Sequence, residues 1–197
     1  MSDPLFLSLW FRDFDAEDML PHALAVMQQF PFSRSRPGIA YLALQPISWD
    51  EATILEQRFN PGIPPEDAVQ IASDLLHEDY AYLFEAFWDL WTPSEDGKQW
   101  ALQPSAVRMI LRGRDFAEGE YEQEGHVEID FGLDVPFLHE ELQLTPEAEN
   151  GVKANVQKLV EFTGLLEKNS GASARLLWSE SENNLAQKLI ARLQKVQ

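Results

Sequence analysis

The chain has 197 residues, 33 of them Asp or Glu against 15 Lys or Arg, for a formal net charge of −18 at pH 7. With no cysteine, it excludes disulfides, thiolate zinc sites, iron–sulfur clusters and cysteine nucleophiles together. The acidic balance argues against nucleic acid and anionic membranes as partners, and the 45% hydrophobic content argues against general disorder.

In chain order, Leu5, Leu7 and Leu9 alternate with Phe6, Ser8 and Trp10 and predict a buried first strand. Asp13 and Asp15 are candidate N-caps, and Leu20, Leu24, Met27 and Phe30 keep helical spacing. Pro21 places the start of that helix near Met19 or Leu20, with the proline in its first turn. A loop over Phe32–Gly38 leads to a strand over Ile39–Trp49. A third strand over Ala52–Phe59 is followed by a turn at Asn60-Pro61-Gly62. Pro64-Pro65-Glu66-Asp67 opens a long helix, because Val69, Ala72, Leu76, Tyr80, Leu83, Phe87 and Trp91 recur at three and four residues. Thr92–Lys98 closes it.

Strands follow over Ala106–Phe116 and Val127–Leu133. Thr145-Pro146-Glu147 caps a helix whose inner face is Val152, Val156, Leu159, Thr163 and Leu166. After Gly171 comes a short strand over Ala174–Trp178. A capping box over Ser179–Glu182 then precedes a helix bearing Leu185, Leu189, Leu193 and Val196. This order predicts an α+β sandwich, a mostly antiparallel sheet with helices layered on one face. An elaborated or doubled ferredoxin-like unit is the expected form. One domain over 1–197 is expected, with a weak internal boundary near 92–105. Ala43-Leu44-Gln45-Pro46 and Ala101-Leu102-Gln103-Pro104 are identical, each placed at the exit of a short strand, and hint at duplication.

The most ordered charge pattern is Glu118, Glu120, Glu122, Glu124, His126, Glu128 and Asp130, all even-numbered. In one continuous strand they would share a face. One reading is a divalent-cation site formed by His126, Glu128 and Asp130. The preferred reading sets Arg108, Arg112 and Arg114 opposite those acids across a hairpin, as ion pairs on a solvated face. Gly119 and Gly125 favour it, since they interrupt a single strand. The second cluster is aromatic: Tyr80, Tyr82, Phe84, Phe87, Trp88, Trp91 and Trp100. On a helix it fills two sides, more than one sheet-facing stripe needs. Most of it is expected in the core, and Tyr82, Trp88, Trp91 and Trp100 are candidates for an interaction surface.

His22, His77, His126 and His139 form no metal-binding spacing, and the nucleophile-elbow and phosphate-loop motifs are missing. Ser33-Arg34-Ser35-Arg36-Pro37-Gly38 is the one basic loop able to hold an anion. The expected function is a non-catalytic interaction or assembly domain with a protein partner or a second copy of itself, without cofactor. The alternatives are a hydrolase using a divalent cation at the acidic strand face and, last, an acidic mimic of nucleic acid. The start of the chain lacks a positive n-region and no apolar run approaches membrane-spanning length, so a cytoplasmic location is expected.

Overall fold

The computed structural model describes residues 2–139, 144–180 and 184–194. Seven strands form one sheet: β1 (Pro4–Trp10), β2 (Ile39–Pro46), β3 (Leu55–Ile63), β4 (Tyr80–Pro93), β5 (Trp100–Arg112), β6 (Val127–Leu133) and β7 (Ala174–Ser179). Their order is β3-β2-β4-β5-β6-β1-β7, and every pairing is antiparallel. The helices are α1 (Ala16–Gln29), α2 (Pro65–Ser73), α3 (Tyr121–Glu124), α4 (Val135–Leu138), α5 (Pro146–Asn169) and α6 (Leu185–Gln194), with a 3₁₀ turn at Phe116–Glu118. The α+β expectation and the antiparallel sheet with packed helices are both found.

The largest departure from the sequence reading lies between Pro64 and Trp91. The expected single helix is a nine-residue helix, α2, followed by the fourteen-residue strand β4. Tyr82, Phe84, Ala86, Trp88 and Leu90 are buried at every second position, and β4 pairs with β5 from Ala81↔Arg112 to Pro93↔Trp100. Aromatic side chains fit a pleated surface flanked by partner strands, and that pairing overrides a weak helical stripe. The 92–105 stretch is therefore a hairpin inside the sheet, with Thr92↔Ala101 and Pro93↔Trp100 as its last rungs.

Smaller corrections follow. β2 ends at Pro46, so Ile47–Trp49 lies in a loop. β3 runs through the expected turn at Asn60-Pro61-Gly62, and β5 begins at Trp100 and ends at Arg112. α1 begins at Ala16, where Asp18 accepts a hydrogen bond from the Asp15 N–H at 3.2 Å. Its first turn holds Glu17 and Asp18 at the positive end of the helix dipole, which favours the earlier start. Pro21 is thus interior, on the exposed side of the helix. Of the Ala-Leu-Gln-Pro pair, the first copy ends β2 and the second opens β5. Leu44 is 0% exposed and Leu102 52%, so the copies sit in unlike environments. Glu182 and Val196, part of the expected last helix and its cap, lie outside the described residues.

Alternation gives the sheet two faces. Leu5, Leu7, Leu9, Leu42, Leu44, Tyr82, Phe84, Met109, Leu111, Val127 and Ile129 point inward to a core shared with Met19, Val26, Val152, Val156, Leu159 and Phe162 of α1 and α5. Thr145 caps α5 as expected, accepting from the Ala148 N–H at 3.3 Å. Residues on the opposite face line up in cross-strand rows. One row is Arg58–Tyr41–Glu85–Arg108–Asp130–Phe6–Trp178, from β3 to β7, and the next is Glu56–Ala43–Leu83–Ile110–Glu128–Ser8–Leu176.

Candidate functional site

The 118–130 segment is interrupted, as Gly119 and Gly125 suggest, and forms no continuous acidic ladder. Ala117 and Glu118 are left-handed (φ 47° and 58°), α3 follows Gly119, and Gly125 has φ 96°, so the backbone reverses repeatedly before β6. Only Glu128 and Asp130 share the outer face of a strand.

His126, Glu128 and Asp130 each have separate occupations. The His126 ring stacks 4.0 Å from Phe14 and 4.5 Å from Tyr121, and its Nδ1 accepts the Phe11 N–H at 3.0 Å. Burial, followed by the nearby His22 and Arg114, lowers its pKa to about 4, so the ring is neutral near pH 7. Asp130 accepts the Gly132 N–H at 2.8 Å. Glu128 accepts from Arg112 Nη2 at 3.0 Å. Among the described residues, no three His, Asp or Glu side chains are grouped to hold a metal ion.

The arginines divide in the same way. Arg108 stands opposite Asp130 in the ladder but pairs with Glu85 at 3.3 Å, and Arg114 pairs with Asp15 at 2.6 Å, so among the described residues Arg112 alone forms ion pairs with the acids of 118–130. Arg112 does so under cover: it is 4% exposed and Glu128 5%, where a solvated face was expected. Its Nε donates to Glu120 at 2.5 Å, and among the described residues its Nη1 has no partner. Burial raises the Glu128 pKa to about 7; Arg112 opposes the shift and Glu124 adds to it.

Two loops provide the cover, and their construction defines the candidate site. The first is 47–53, held to the end of β2 by Gln45, whose Nε2 donates to the Ser48 and Glu51 carbonyls and whose Oε1 accepts from Thr53 at 3.0 Å. The second is 113–125. Ile47 joins them: its N–H donates to the Asp79 carbonyl and its own carbonyl accepts from Ala117, both at 2.7 Å. Trp49 packs edge-on to Phe116 at 4.9 Å, and its Nε1 donates to both Glu120 oxygens, at 3.0 and 3.1 Å. One carboxylate thus serves Arg112 from below and Trp49 from above.

The surface so formed is unusual in two respects. Ile47 and Trp49 are 55% and 44% exposed, Ile54 lies near them in sequence at 46%, and Asp50, Glu51, Asp115 and Glu118 in the same loops are exposed acids. Ile47 also holds φ at 62°, where a β-branched side chain clashes with its own backbone at a cost of about 1–2 kcal/mol. Strain of this kind persists only where neighbouring structure enforces it. The arrangement holds exposed Ile47 and Trp49 among exposed acids in a fixed conformation.

The aromatic residues expected at a surface divide between the core and partial exposure. Tyr82 and Trp88 are fully buried in the core. The Tyr82 hydroxyl donates to the Leu75 carbonyl at 2.7 Å and accepts the His77 N–H at 2.9 Å, and burial raises its pKa to about 12. Trp91 and Trp100 are half-buried beside Gly151 of α5, where an added Cβ would lie 2.8 Å from the Trp100 ring. The patch residues Ile47 and Trp49 carried no signal of their own, being absorbed into the run read as a strand.

Comparison of the chain with known protein families, characterised proteins and solved structures finds no match. Among the described residues, no helix is long and apolar enough to cross a membrane.

Proposed function

We propose that the protein is a non-catalytic interaction domain whose contact surface is the loop bearing Ile47, Trp49 and Ile54. The observation that carries the reading is Ile47: an exposed, β-branched residue held left-handed by backbone hydrogen bonds on both sides. Ile47 on its strained backbone and Trp49 held by Glu120 and Phe116 are pre-organised anchors, which lowers the entropy lost on binding. The acidic rim selects a partner with a basic surface around an apolar pocket. A second copy of the chain is the less favoured occupant, since its own −18 charge would be brought against the same rim. The chain acts in this reading as one domain, without cofactor. As an architecture it is an elaboration of a ferredoxin-like unit: β1-α1-β2-β3-α2-β4 supports this by element order, while three strands separate β1 from β2 in the sheet.

The test compares Trp49→Ala and Ile47→Asp with Leu176→Ser, an exposed change on β7, for retention of binding proteins from cell extract. A partner kept by the wild type and by Leu176→Ser but lost by both patch variants, with circular dichroism unchanged, supports the reading. Partners retained by all three variants overturn it. Light scattering over a concentration series covers self-association: a dimer abolished by Trp49→Ala would assign the patch to a second copy.

A further inference from the structure

Away from the Trp49 patch, a cleft of about 410 Å³ opens between the 35–37 loop and the end of β3, lined by Arg36, Arg58, Phe59, Pro61, Gly62 and Glu85 among others. We propose that this cleft binds a phosphomonoester dianion through the guanidinium groups of Arg36 and Arg58.

The construction starts from two close backbone crossings. A Cβ on Gly62 would lie 2.3 Å from the Pro37 carbonyl oxygen, and one on Gly38, at φ 81°, 2.6 Å from that of Ile63. Only glycine permits this approach, which brings the Arg36 loop against the Arg58 strand. The β2 ladder shifts register between Ile39 and Tyr41 at the same place. The cleft is thus a fixed feature of the sheet edge rather than a gap between loose side chains.

Both arginines are held by ring faces. Arg36 Cζ lies 3.5 Å from the Phe87 ring centroid, and Arg58 Cζ 4.9 Å from that of Tyr41, its direct cross-strand partner. A guanidinium lying over a ring keeps its N–H groups free along its edge. Among the described residues neither guanidinium forms an ion pair with a carboxylate, in a chain where acids outnumber basic residues by more than two to one. Glu85, the acid lining the cleft, is engaged by Arg108 at 3.3 Å.

The number of forks selects the ligand. A carboxylate has two oxygens and one charge, enough for a single guanidinium. A phosphomonoester has three terminal oxygens and close to two charges at neutral pH, which suits two. The cleft has room beyond the phosphoryl group for the ester's organic part, beside Phe59 and Pro61. Its basic character comes from two separated segments, the 33–38 loop and β3, of which the sequence announced only the first.

The probes are inorganic phosphate and phenyl phosphate, titrated into ¹⁵N-labelled protein at constant ionic strength against a chloride control. Saturable shifts are expected at the Gly38 and Gly62 amides and at the Arg36 and Arg58 Nε–Hε signals, with phenyl phosphate binding the tighter. Arg36→Ala and Arg58→Ala should each weaken binding about tenfold, the loss of one charge-assisted contact. Arg58→Lys, which keeps the charge without the fork, should weaken it less, and Arg114→Ala should leave it unchanged. Shifts that chloride reproduces, that never saturate, or that survive in the Arg36→Ala/Arg58→Ala double variant would overturn the proposal. Unchanged core amide signals in each variant separate loss of the site from loss of the fold.

Discussion

Replacing Glu128 by Gln probes the buried charge cluster through the pH dependence of stability. In the folded protein, burial raises the Glu128 pKa from an ordinary 4.5 to about 7. The folded state therefore binds the proton more tightly than the unfolded chain, so stability from this group is full below pH 4.5 and lost as pH rises through 7. His126 works in the opposite sense. Its pKa falls from 6.5 to about 4, so its contribution is present above 6.5 and lost as pH falls through 4. Across the interval from 4.5 to 6.5 the two slopes oppose each other in the wild type. A shift of this size, discounted for residual solvent at the site, is worth about 2 kcal/mol for each group. Glu128→Gln deletes the falling slope and leaves the rising one. Urea unfolding followed by tryptophan fluorescence at pH 5 and pH 7.5 measures the difference. The variant should gain about 2 kcal/mol on the wild type between those two conditions. The charged contact with Arg112 is already contained in the pKa shift, and only the pH-independent difference between a protonated Glu128 and a glutamine adds an equal offset at both pH values and cancels. Parallel stability curves for the two proteins would refute the raised pKa and the desolvation argument behind it.

Three further substitutions address different parts of the reasoning. Ile47→Gly releases the left-handed strain and should stabilise the fold by about 1 kcal/mol in urea unfolding, whereas a destabilised variant would remove the strain argument. Asn155, buried in α5, accepts from the Trp91 N–H and donates to the Trp91 and Pro136 carbonyls at 2.8, 2.8 and 2.9 Å. Asn155→Ala strands all three backbone groups and should cost about 2–4 kcal/mol by the same assay. Arg112→Met leaves buried Glu128 uncompensated and should cost about 3 kcal/mol, most of it recovered in the Arg112→Met/Glu128→Leu double variant. An equal loss in single and double variants would mean that the cost is packing and not charge.

Much of the fold was legible because periodicity and burial agree in several elements. β1 and β6 are short runs rich in apolar residues and largely buried, and α5 combines a threonine cap with an unbroken inner stripe, so each was placed within about two residues. The stretch 80–91 shows where this fails. Phe84 belongs both to the helical set Tyr80, Phe84, Phe87, Trp91 and to the alternating set Tyr82, Phe84, Ala86, Trp88, and nothing local separates the two. The β5 ladder decides it, and a ladder is a long-range fact. The site was less legible for the same reason. Arginines were expected opposite acids across a hairpin on a solvated face; Arg112 and Glu128 do pair, yet they are buried, because 113–125 folds back over them and that cover is made by long-range contacts. The strain at Ile47 comes from bonds to Asp79 and Ala117, residues remote in sequence.

The charge cluster beneath the patch also bears on why a protein would keep it. A buried ion pair is weak evidence of stabilisation, since well-packed apolar side chains of similar volume serve as well or better. Glu128 makes the cost plain, because burial has pushed its pKa close to neutrality in spite of Arg112. Apolar replacements could join β5 to β6, but they could not orient Glu120. That carboxylate receives Arg112 Nε and the Trp49 indole N–H together, so the direction of the buried guanidinium is passed to an exposed aromatic ring. A purely apolar layer would leave the Trp49 ring free to rotate away from Phe116. The cluster therefore trades stability for the position of one surface side chain, a trade that makes physical sense where that side chain is the contact.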